Sequence, residues 1–554
     1  MPRIRGADVL MRSLVAGGVR NIFTVSGNHI MSVFDAALDA GVRLLHTRHE
    51  AATVHMADAG ARITGDVGIA LVTGGPGHAN AVSALYTALM AESPLVLISG
   101  HAPHDELGRG AFQEMKQAEM VAPVVKASWT SASAAEIGAD VARAVRIARM
   151  GRPGPVHLSV PQDVLEATVD AAGVASAAAF ASEPAMLDET DANAILAQLA
   201  RAKRPLILAG PASLTRAGRA RLAALESATG IACIGMESPR GINDPCLGAF
   251  APVLAQADCI LLLGKRLDFT LAFGRAPAID PRCTFVQVDP DALELDRTRR
   301  ALGDRVVGSE VADVSAAIDM LAALAQRNAR NVPTPGNWVD EVRAALTYRP
   351  PAWDGARSAE GGKLHPVEAC RPLQRLLDSD PESVIVCDGG EFGQWAQACL
   401  HAPHRVINGV AGSIGSALPF AVAARLARPD APVVALLGDG TFGFHAAEID
   451  TAVRHALPFV AVVGNDARWN AEYQIQLKRY GPDRLIGCEL RPLRYDHVTV
   501  ALGGHGEHVT EARELPAAID RAHASGLPAC IDVAIDGLAA PVIRREAEDA
   551  RPPG

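Results

Sequence analysis

Two polar turns, each directly after a run of apolar and β-branched residues, are the clearest candidates for chemistry in the sequence. They are Gly438-Asp439-Gly440 and Asn465-Asp466. Glycines let a backbone approach a diphosphate closely, and the start of a following helix offers N–H donors. The carboxylates supply the hard oxygen ligands that Mg²⁺ prefers. The spacing therefore predicts a site for a diphosphate and Mg²⁺; the alternative is an ordinary βαβ unit whose aspartate caps a helix.

Parallel sheets are the elements that must position these turns. Short apolar runs alternate with Ala-rich helical patterns along the whole chain. Strand–helix–strand units with right-handed crossovers form parallel sheets covered by helices on both faces. The expected fold class is therefore α/β, with three doubly wound parallel-sheet domains and ligands at the carboxyl ends of the strands.

Local patterns predict individual elements around the glycine-rich turns. In the first segment they predict a strand over 69–73, a turn over 74–77 and a helix over 79–90. After the turn 438–440 they predict one helix that reaches residue 456. Both turns should lie at the edge of a sheet where the strands end.

Two stretches of low information divide the chain into domains. Residues 170–186 are rich in small residues, and residues 330–366 carry several prolines and glycines around a short amphipathic piece. The predicted domains cover 1–170, 187–330 and 366–540. A chain of 554 residues is long enough for three cores of ordinary size.

Composition excludes several classes of protein. With 49% hydrophobic and 21% charged residues the chain is globular, and a net charge of −10 argues against nucleic-acid binding. Nine cysteines without a CxxC pair indicate reduced thiols, and no uninterrupted apolar run is long enough for a membrane span or a signal peptide. The expected location is the cytoplasm, and the expected partners are small molecules.

The two polar turns resemble the signature of thiamine-diphosphate enzymes, in which Gly-Asp-Gly is followed further along by two asparagines. Here Asp466 replaces the second asparagine, which adds a negative charge but keeps an oxygen ligand. The resemblance implies that Asp439, Asp466 and the backbone carbonyl of Arg468 bind Mg²⁺. It implies cofactor contacts from three turns: Gly390 and Glu391; Gly412, Ser413 and Ile414; and Gly438, Gly440 and Thr441.

Two of these contacts have a specific form. Glu391 is acidic where an anionic cofactor is expected, so its backbone N–H is the expected contact. Ile414 resembles the bulky aliphatic residue that holds the cofactor in its bent shape; the alternative is an ordinary core isoleucine.

The same resemblance requires a glutamate far upstream, and Glu50 fits because it precedes an amphipathic pattern and the Gly-Gly-Pro-Gly turn. Its carboxyl group would hydrogen-bond to the pyrimidine ring of the cofactor and promote loss of the thiazolium C2 proton. An Ala-rich apolar setting disfavours the ionised form of a carboxyl group, which suits a shared proton. Without the family pattern, a surface glutamate is the alternative.

Further landmarks extend the resemblance over nearly the whole chain, to the acetolactate-synthase-like superfamily of thiamine enzymes. They lie, in order, at residues 26–29, 48–50, 73–77, 110–114 and 151–156. Gly27-Asn28-His29 and residues 481–484 are similar to benzaldehyde lyases. This likeness implies that His29 and Gln113 lie over the thiazolium and relay a proton, with Asn28 beside them and Gly27 and Gly74 at the cofactor. The alternatives are a helix-start histidine bonded to backbone and a solvated loop amide.

The resemblance implies carbon–carbon lyase or carboligase chemistry on 2-keto acids or acyloins. Asn28 stands where benzaldehyde lyases have a smaller alanine, and Gly393 lacks their aromatic side chain, so a more polar or smaller substrate than an aromatic aldehyde is expected. Two other functions stay open: a 2-hydroxyacyl-CoA lyase or related acyl-CoA decarboxylase, and a cofactor-binding regulatory subunit without turnover.

Two implications concern the assembly and the central domain. In this family the counterparts of Glu50 and Asp439 come from different subunits, so a homodimer or homotetramer with active sites between subunits is expected. Residues 262–274 are similar to the middle domain of 2-hydroxyacyl-CoA lyases and oxalyl-CoA decarboxylases, whose central domain holds ADP or CoA, whereas acetolactate synthases hold FAD there. No specific motif for FAD, ADP or CoA is present, so that question stays open.

Overall fold

Three parallel β-sheets flanked by helices make up the part of the chain that this computed structural model describes, residues 3–327 and 337–545. Each sheet has an apolar layer of packed side chains on both of its faces. One of these layers is continuous between the N-terminal and C-terminal domains. The predicted α/β class with three doubly wound domains is confirmed.

The N-terminal domain begins with β1 (Arg3–Arg5), which pairs antiparallel with β8 (Thr168–Asp170). Its main sheet consists of β2 (Asn21–Thr24), β3 (Arg43–His46), β4 (Gly68–Val72), β5 (Leu95–His101), β6 (Ser128–Thr130) and β7 (Pro155–Pro161). The order across this sheet is β3-β2-β4-β5-β7-β6, and all neighbours are parallel. The helices are α1 (Gly6–Ala16), α2 (Met31–Ala40), α3 (Glu50–Thr64), α4 (Pro76–Met90), α5 (Gln117–Val121), α6 (Ile137–Arg149) and α7 (Gln162–Glu166).

The central domain has a five-stranded parallel sheet. Its strands are β9 (Pro205–Ala209), β10 (Cys233–Gly235), β11 (Cys259–Leu263), β12 (Thr284–Asp289) and β13 (Val306–Val311). Their order is β10-β9-β11-β12-β13. The helices are α8 (Glu189–Arg201), α9 (Arg216–Thr229), α10 (Phe250–Leu254), α11 (Ala292–Leu302), α12 (Val314–Arg327) and α13 (Trp338–Thr347).

The C-terminal domain repeats the six-stranded design. Its strands are β14 (Val384–Cys387), β15 (His404–Ile407), β16 (Val433–Gly438), β17 (Val460–Asn465), β18 (His505–Val509) and β19 (Ala529–Ala534), in the parallel order β15-β14-β16-β17-β19-β18. The helices are α14 (Pro366–Cys370), α15 (Gln374–Leu377), α16 (Gly390–Cys399), α17 (Ala417–Ala427), α18 (Asp439–His445), α19 (Glu448–Arg454), α20 (Asn470–Tyr480), α21 (Tyr495–Ala501) and α22 (Leu515–Ala524).

Central strands form where the sequence has short unbroken apolar runs. All five residues of β11 are buried, as are the first five of β16 and of β17. A strand covered by helices on both faces has no polar face, so its apolar residues do not alternate with polar ones. This pattern brings β14, β16 and β17 side by side and gathers the turns that follow them at one edge.

Two local predictions differ from the structure. The helix predicted from residue 79 begins at Pro76, because proline at the first helical position needs no N–H partner. The single helix predicted as far as residue 456 is two helices, α18 and α19. The break lets His445 Nδ1 bond the Gly415 carbonyl at 2.7 Å, while Glu448 accepts the backbone N–H of Arg48 at 3.1 Å.

The N-terminal and C-terminal domains pack through α3 and α17, whose buried residues share one apolar cluster. Arg62 Nη1 donates to the Ile407 carbonyl at 2.7 Å, and Arg428 Nη2 donates to the Ile63 carbonyl at 3.2 Å. Both bonds satisfy backbone groups across the domain boundary, which fixes the orientation of α3 against the C-terminal sheet.

The predicted linker over 330–366 is only partly described, since residues 330–336 lie outside the described residues. Its amphipathic piece is α13, in which Trp338 is buried and donates its indole N–H to the Pro205 carbonyl at 2.9 Å. Among the described residues, no helix combines the length and apolar character needed to cross a bilayer.

Candidate active site

A cavity of about 220 Å³ opens at the carboxyl ends of β14, β16 and β17. Most of the cofactor and metal residues predicted for this half of the site line it: Gly390, Glu391, Gly412, Ile414, Gly438, Asp439, Gly440, Thr441, Asp466 and Arg468. Ser413 does not line the cavity, although both of its neighbours do. Residues from four separate turns therefore converge where parallel strands end.

The carboxylates of Asp439 and Asp466 both line this cavity and together fit a divalent cation. Asp439 is buried at the start of α18, and its Oδ2 has no hydrogen-bond partner. Burial raises the pKa of Asp439 to about 6; burial and the charge of Asp439 raise the pKa of Asp466 to about 7. Two carboxylates whose charges repel each other, one of them with an oxygen that lacks a hydrogen-bond partner, are suitable ligands for Mg²⁺.

The glycines of the cavity leave room for close backbone approach. A Cβ on Gly440 would lie 2.7 Å from the Trp469 ring, so only glycine fits there. Gly390 has a φ of +84° and open space beside it, and it begins the ten-residue helix α16. N–H groups in the first turn of a helix have no partner within it, so they are free to bind phosphate oxygens.

Three buried polar residues of the C-terminal half were missed by the sequence analysis. Asp388 is fully buried and accepts backbone N–H bonds from Gly389 at 2.7 Å, Gly415 at 2.9 Å and Ala417 at 3.1 Å. It thereby ties the turn before α16 to the turn that carries Ile414. Gln394 and Asn408 line the cavity, and each has a buried side-chain oxygen without a partner. An aspartate between a strand and a Gly-Gly pair was the only available signal.

Glu391, unexpected beside an anionic cofactor, is paired with a residue of the central domain. Its Oε2 lies 2.8 Å from Nη2 of Arg240, which also lines the cavity. The carboxylate is only 8% exposed. Its charge is therefore offset within the cavity wall.

The N-terminal candidates gather at the carboxyl ends of β2, β4 and β5. His29 is buried and its Nδ1 lies 3.0 Å from Thr73 Oγ1. A Cβ on Gly27 would lie 2.4 Å from the Thr73 side chain, and a Cβ on Gly75 would lie 2.7 Å from that of Gln113. Burial lowers the pKa of His29, so this imidazole is neutral near pH 7. Asn28 is exposed next to His29.

Glu50 is the first residue of α3 and is half-exposed. Its Oε2 accepts a hydrogen bond from Asn80 Nδ2 at 3.0 Å, and a Cβ on Gly77 would lie 3.4 Å from its Oε1. The carboxylate thus lies between the first turns of α3 and α4, close to the Gly-Gly-Pro-Gly turn. Asn80 was not predicted, and a single exposed asparagine offers no signal.

Gln117 is a second unpredicted residue of the N-terminal half. It is buried; its Oε1 accepts the Gly75 N–H at 2.8 Å, and its Nε2 donates to the Gly100 carbonyl and to Ser159 Oγ, both at 3.0 Å. It joins the loop that carries Gln113 to the Gly74-Gly75 turn. Gly74 is itself close-packed, with a Cβ position 2.9 Å from the Gly100 carbonyl.

A buried, neutral histidine close to this turn predicts that the folded protein loses stability in acid. His78 Nδ1 lies 2.9 Å from Ser99 Oγ, and burial lowers its pKa to about 4. Between that value and about 6.5 the unfolded chain binds a proton that the folded chain does not, so stability falls as pH falls through this window. His78→Asn should reduce that loss by about 1.4 kcal/mol per pH unit, measured by urea unfolding at pH 6.5 and 5. An unchanged pH dependence would contradict this assignment.

The candidates of the N-terminal half lie outside the 220 Å³ cavity. The 220 Å³ cavity is lined by central and C-terminal residues alone among those described. The start of α3 instead contacts the far end of α18, where the His49 and His445 rings lie 6.1 Å apart. Glu50 and Asp439 therefore lie at two half-sites, and the expected contribution of Glu50 by a second copy stays a prediction.

Comparison with known families matches all three domains. The thiamine pyrophosphate enzyme N-terminal TPP-binding domain matches residues 4–120, the central domain of the same enzymes matches 192–321, and their C-terminal TPP-binding domain matches 388–533. The three matches fall on the three parallel sheets.

Curated relatives are similar over almost the whole chain. A probable acetolactate synthase of Mycobacterium bovis is 33% identical over 540 residues, which cover 95% of each chain. The 2-hydroxyacyl-CoA lyase 2 of Homo sapiens is 31% identical over 548 residues, covering 90% of this chain and 84% of its own. That of Caenorhabditis elegans is 30% identical, covering 92% and 85%. The chain belongs to the thiamine-diphosphate-dependent enzymes and is a carbon–carbon lyase or carboligase of the acetolactate-synthase-like group.

Proposed function

We propose that the chain cleaves or joins carbon–carbon bonds of 2-keto acids or acyloins, using thiamine diphosphate and Mg²⁺ held between two copies of the chain. The observation that carries the proposal is the cavity in which the Asp439 and Asp466 carboxylates meet the glycine turns of α16 and α18. A βαβ unit with a plain helix cap would leave no unpartnered carboxylate oxygen facing a second carboxylate.

The C-terminal half of the site binds the metal ion and orients the cofactor. Asp439, Asp466 and the Arg468 carbonyl hold Mg²⁺, and the backbone N–H groups of Gly390 and Glu391 hold the diphosphate. Ile414, which lines the cavity, would support the bound cofactor. Asp388 keeps these turns in register through its three backbone bonds. Bound thiamine diphosphate supplies the nucleophilic carbon and the electron sink for bond cleavage beside a carbonyl.

The N-terminal half moves protons. Asn80 holds the Glu50 carboxyl group in place to hydrogen-bond the pyrimidine ring. His29, held by Thr73 and neutral near pH 7, donates or accepts a proton at the reacting oxygen. Gln113 polarises the same oxygen from the adjacent loop, and Asn28 adds polar character to the substrate side.

A larger cavity favours a second candidate function, cleavage of 2-hydroxyacyl-CoA thioesters. It measures about 710 Å³ and lies between the N-terminal and central domains, beside the glycine turns Gly210 and Gly264. Arg149, Arg221 and Arg327 line it. Arginine side chains and glycine turns at the carboxyl ends of parallel strands suit an anionic nucleotide, although the lining also includes the carboxylates of Glu92, Glu183, Asp313 and Asp319. FAD, ADP or the nucleotide part of CoA would each match this chemistry.

A substrate panel separates these functions. The purified enzyme with thiamine diphosphate and Mg²⁺ is incubated with 2-keto acids, acyloins and 2-hydroxyacyl-CoA thioesters, and products are identified by mass spectrometry. We expect turnover of a 2-keto acid or an acyloin. Saturable cleavage of acyl-CoA thioesters alone would instead establish the second candidate.

The matched control for this panel is Glu50→Gln, which keeps the metal half of the site and should give no product with any substrate. A wild-type protein that binds the cofactor yet converts none of the three classes would favour a regulatory subunit. The retained Glu50, Asp439 and His29 speak against that outcome. A homodimer or homotetramer and a cytoplasmic location complete the proposal.

A further inference from the structure

A segment of the central domain, residues 236–244, reaches across to the cofactor cavity. Pro239 and Arg240, in its middle, line the cavity although every other lining residue belongs to the C-terminal domain. A Cβ on Gly412 would lie 3.6 Å from Pro239 Cβ. The central domain therefore forms part of the wall around the cofactor site.

One arginine of the C-terminal sheet anchors both ends of this segment. Arg405, on β15, donates from Nη1 to Glu237 at 3.0 Å, and its Nη2 lies 3.7 Å from Asp244. The three side chains are largely buried, and the neighbouring acidic groups help to raise the pKa of Arg405. Gly241, with a φ of +55°, packs so closely that a Cβ would lie 2.1 Å from the Thr270 carbonyl oxygen. The backbone at Arg240 is thus held in one place.

The guanidinium of Arg240 is directed at Glu391. Arg240 is 42% exposed, whereas Glu391 is 8% exposed, and among the described residues Arg240 is the only ion-pair partner of this carboxylate. Glu391 lies in the first turn of α16, directly after Gly390. A buried carboxylate without a counter-charge at this position would repel a diphosphate.

The charge balance of the cavity makes Arg240 important. The lining side chains include four carboxylates, Glu391, Asp439, Asp466 and Glu472, and two guanidiniums, Arg240 and Arg468. Bound Mg²⁺ would offset the charges of Asp439 and Asp466. Among the described residues that line the cavity, only Arg240 forms an ion pair with Glu391.

We propose that Arg240 is a positioning residue of the cofactor site: it neutralises Glu391 and holds the Gly390-Glu391 turn in the conformation that accepts the diphosphate. The inference deepens the proposed function and rests on its use of thiamine diphosphate. It assigns to the central domain a role in affinity for the diphosphate that is independent of any nucleotide in the larger cavity.

A double-mutant cycle tests this role. Thiamine diphosphate binding at saturating Mg²⁺ is followed by the fluorescence of Trp469, which lines the cavity. Arg240→Ala should raise the Kd by about tenfold, the size of a coupled charge pair in contact. Glu391→Gln alone should change the Kd little, and Arg240→Ala/Glu391→Gln should restore it to near the Glu391→Gln value. Arg240→Lys should lie between wild type and Arg240→Ala.

The control is Arg282→Ala, since Arg282 is 90% exposed and pairs only with Asp280. It should leave the Kd unchanged, and thermal unfolding of every variant checks the fold. An unchanged Kd for Arg240→Ala, or a double mutant that binds no better than Arg240→Ala, would overturn the role of Arg240. Failure of the wild type to bind thiamine diphosphate would overturn the proposed function itself, which is a separate result.

Discussion

Replacing Asp439 by alanine should abolish Mg²⁺-dependent binding of thiamine diphosphate. Asp439 is buried, and its Oδ2 has no hydrogen-bond partner among the described residues, so its replacement would take one oxygen ligand from the metal. Loss of an outer partner alone typically lowers metal affinity about 10- to 100-fold, and loss of a direct ligand should exceed that range. Titration of Trp469 fluorescence with cofactor, at several Mg²⁺ concentrations, measures the effect.

The control for Asp439→Ala is Asp430→Ala, which removes an exposed carboxylate in the turn between α17 and β16. It should bind the cofactor as the wild type does. Unaltered Mg²⁺-dependent binding by Asp439→Ala would show that the metal binds elsewhere. It would also contradict the interpretation of the 220 Å³ cavity as the cofactor site.

The second large effect concerns Glu50. Glu50→Gln should bind cofactor nearly as well as the wild type, because Glu50 does not line the cavity that holds the diphosphate. It should slow exchange of the cofactor C2 proton by about 10²- to 10⁴-fold, the usual contribution of a positioned proton-transfer group. NMR of rapidly quenched samples in deuterated buffer measures this exchange directly.

Glu166→Gln is the matched control, since Glu166 is an exposed glutamate of the same domain that bonds only to Gln162. It should exchange the C2 proton at the wild-type rate. Unchanged exchange in Glu50→Gln would remove Glu50 from its role, whereas loss of both binding and exchange would indicate a structural role instead.

Much of the fold follows from local sequence patterns. The strand predicted over 69–73 is β4 at Gly68–Val72, one residue earlier. The prediction was close because a strand buried on both faces must be an unbroken apolar run between turns. Helix boundaries were less accurate. The helix after Asp439 is broken because His445 and Glu448 serve partners far away in the chain, and no local pattern reports such contacts.

The site was predictable to the extent that its residues follow strands. Asp439 and Asp466 were found because they come directly after β16 and within one residue of the end of β17. Asp388 also follows a strand, but its role lies in three backbone hydrogen bonds that spacing does not reveal. Gln117 and Arg240 act through loop conformations and contacts between domains, which spacing along the chain does not encode. The ion pair between Glu391 and Arg240 also accounts for an acidic residue at a position where the sequence alone made one unexpected.

Complementation between copies most directly tests the central claim, that Glu50 of one copy and Asp439 of another serve one bound cofactor. Oligomers formed by co-expressing Glu50→Gln and Asp439→Ala chains would contain some sites with both wild-type carboxylates. The account predicts that these mixed oligomers regain C2 proton exchange, although neither variant alone shows it. Mixed oligomers as inactive as the separate variants would contradict it.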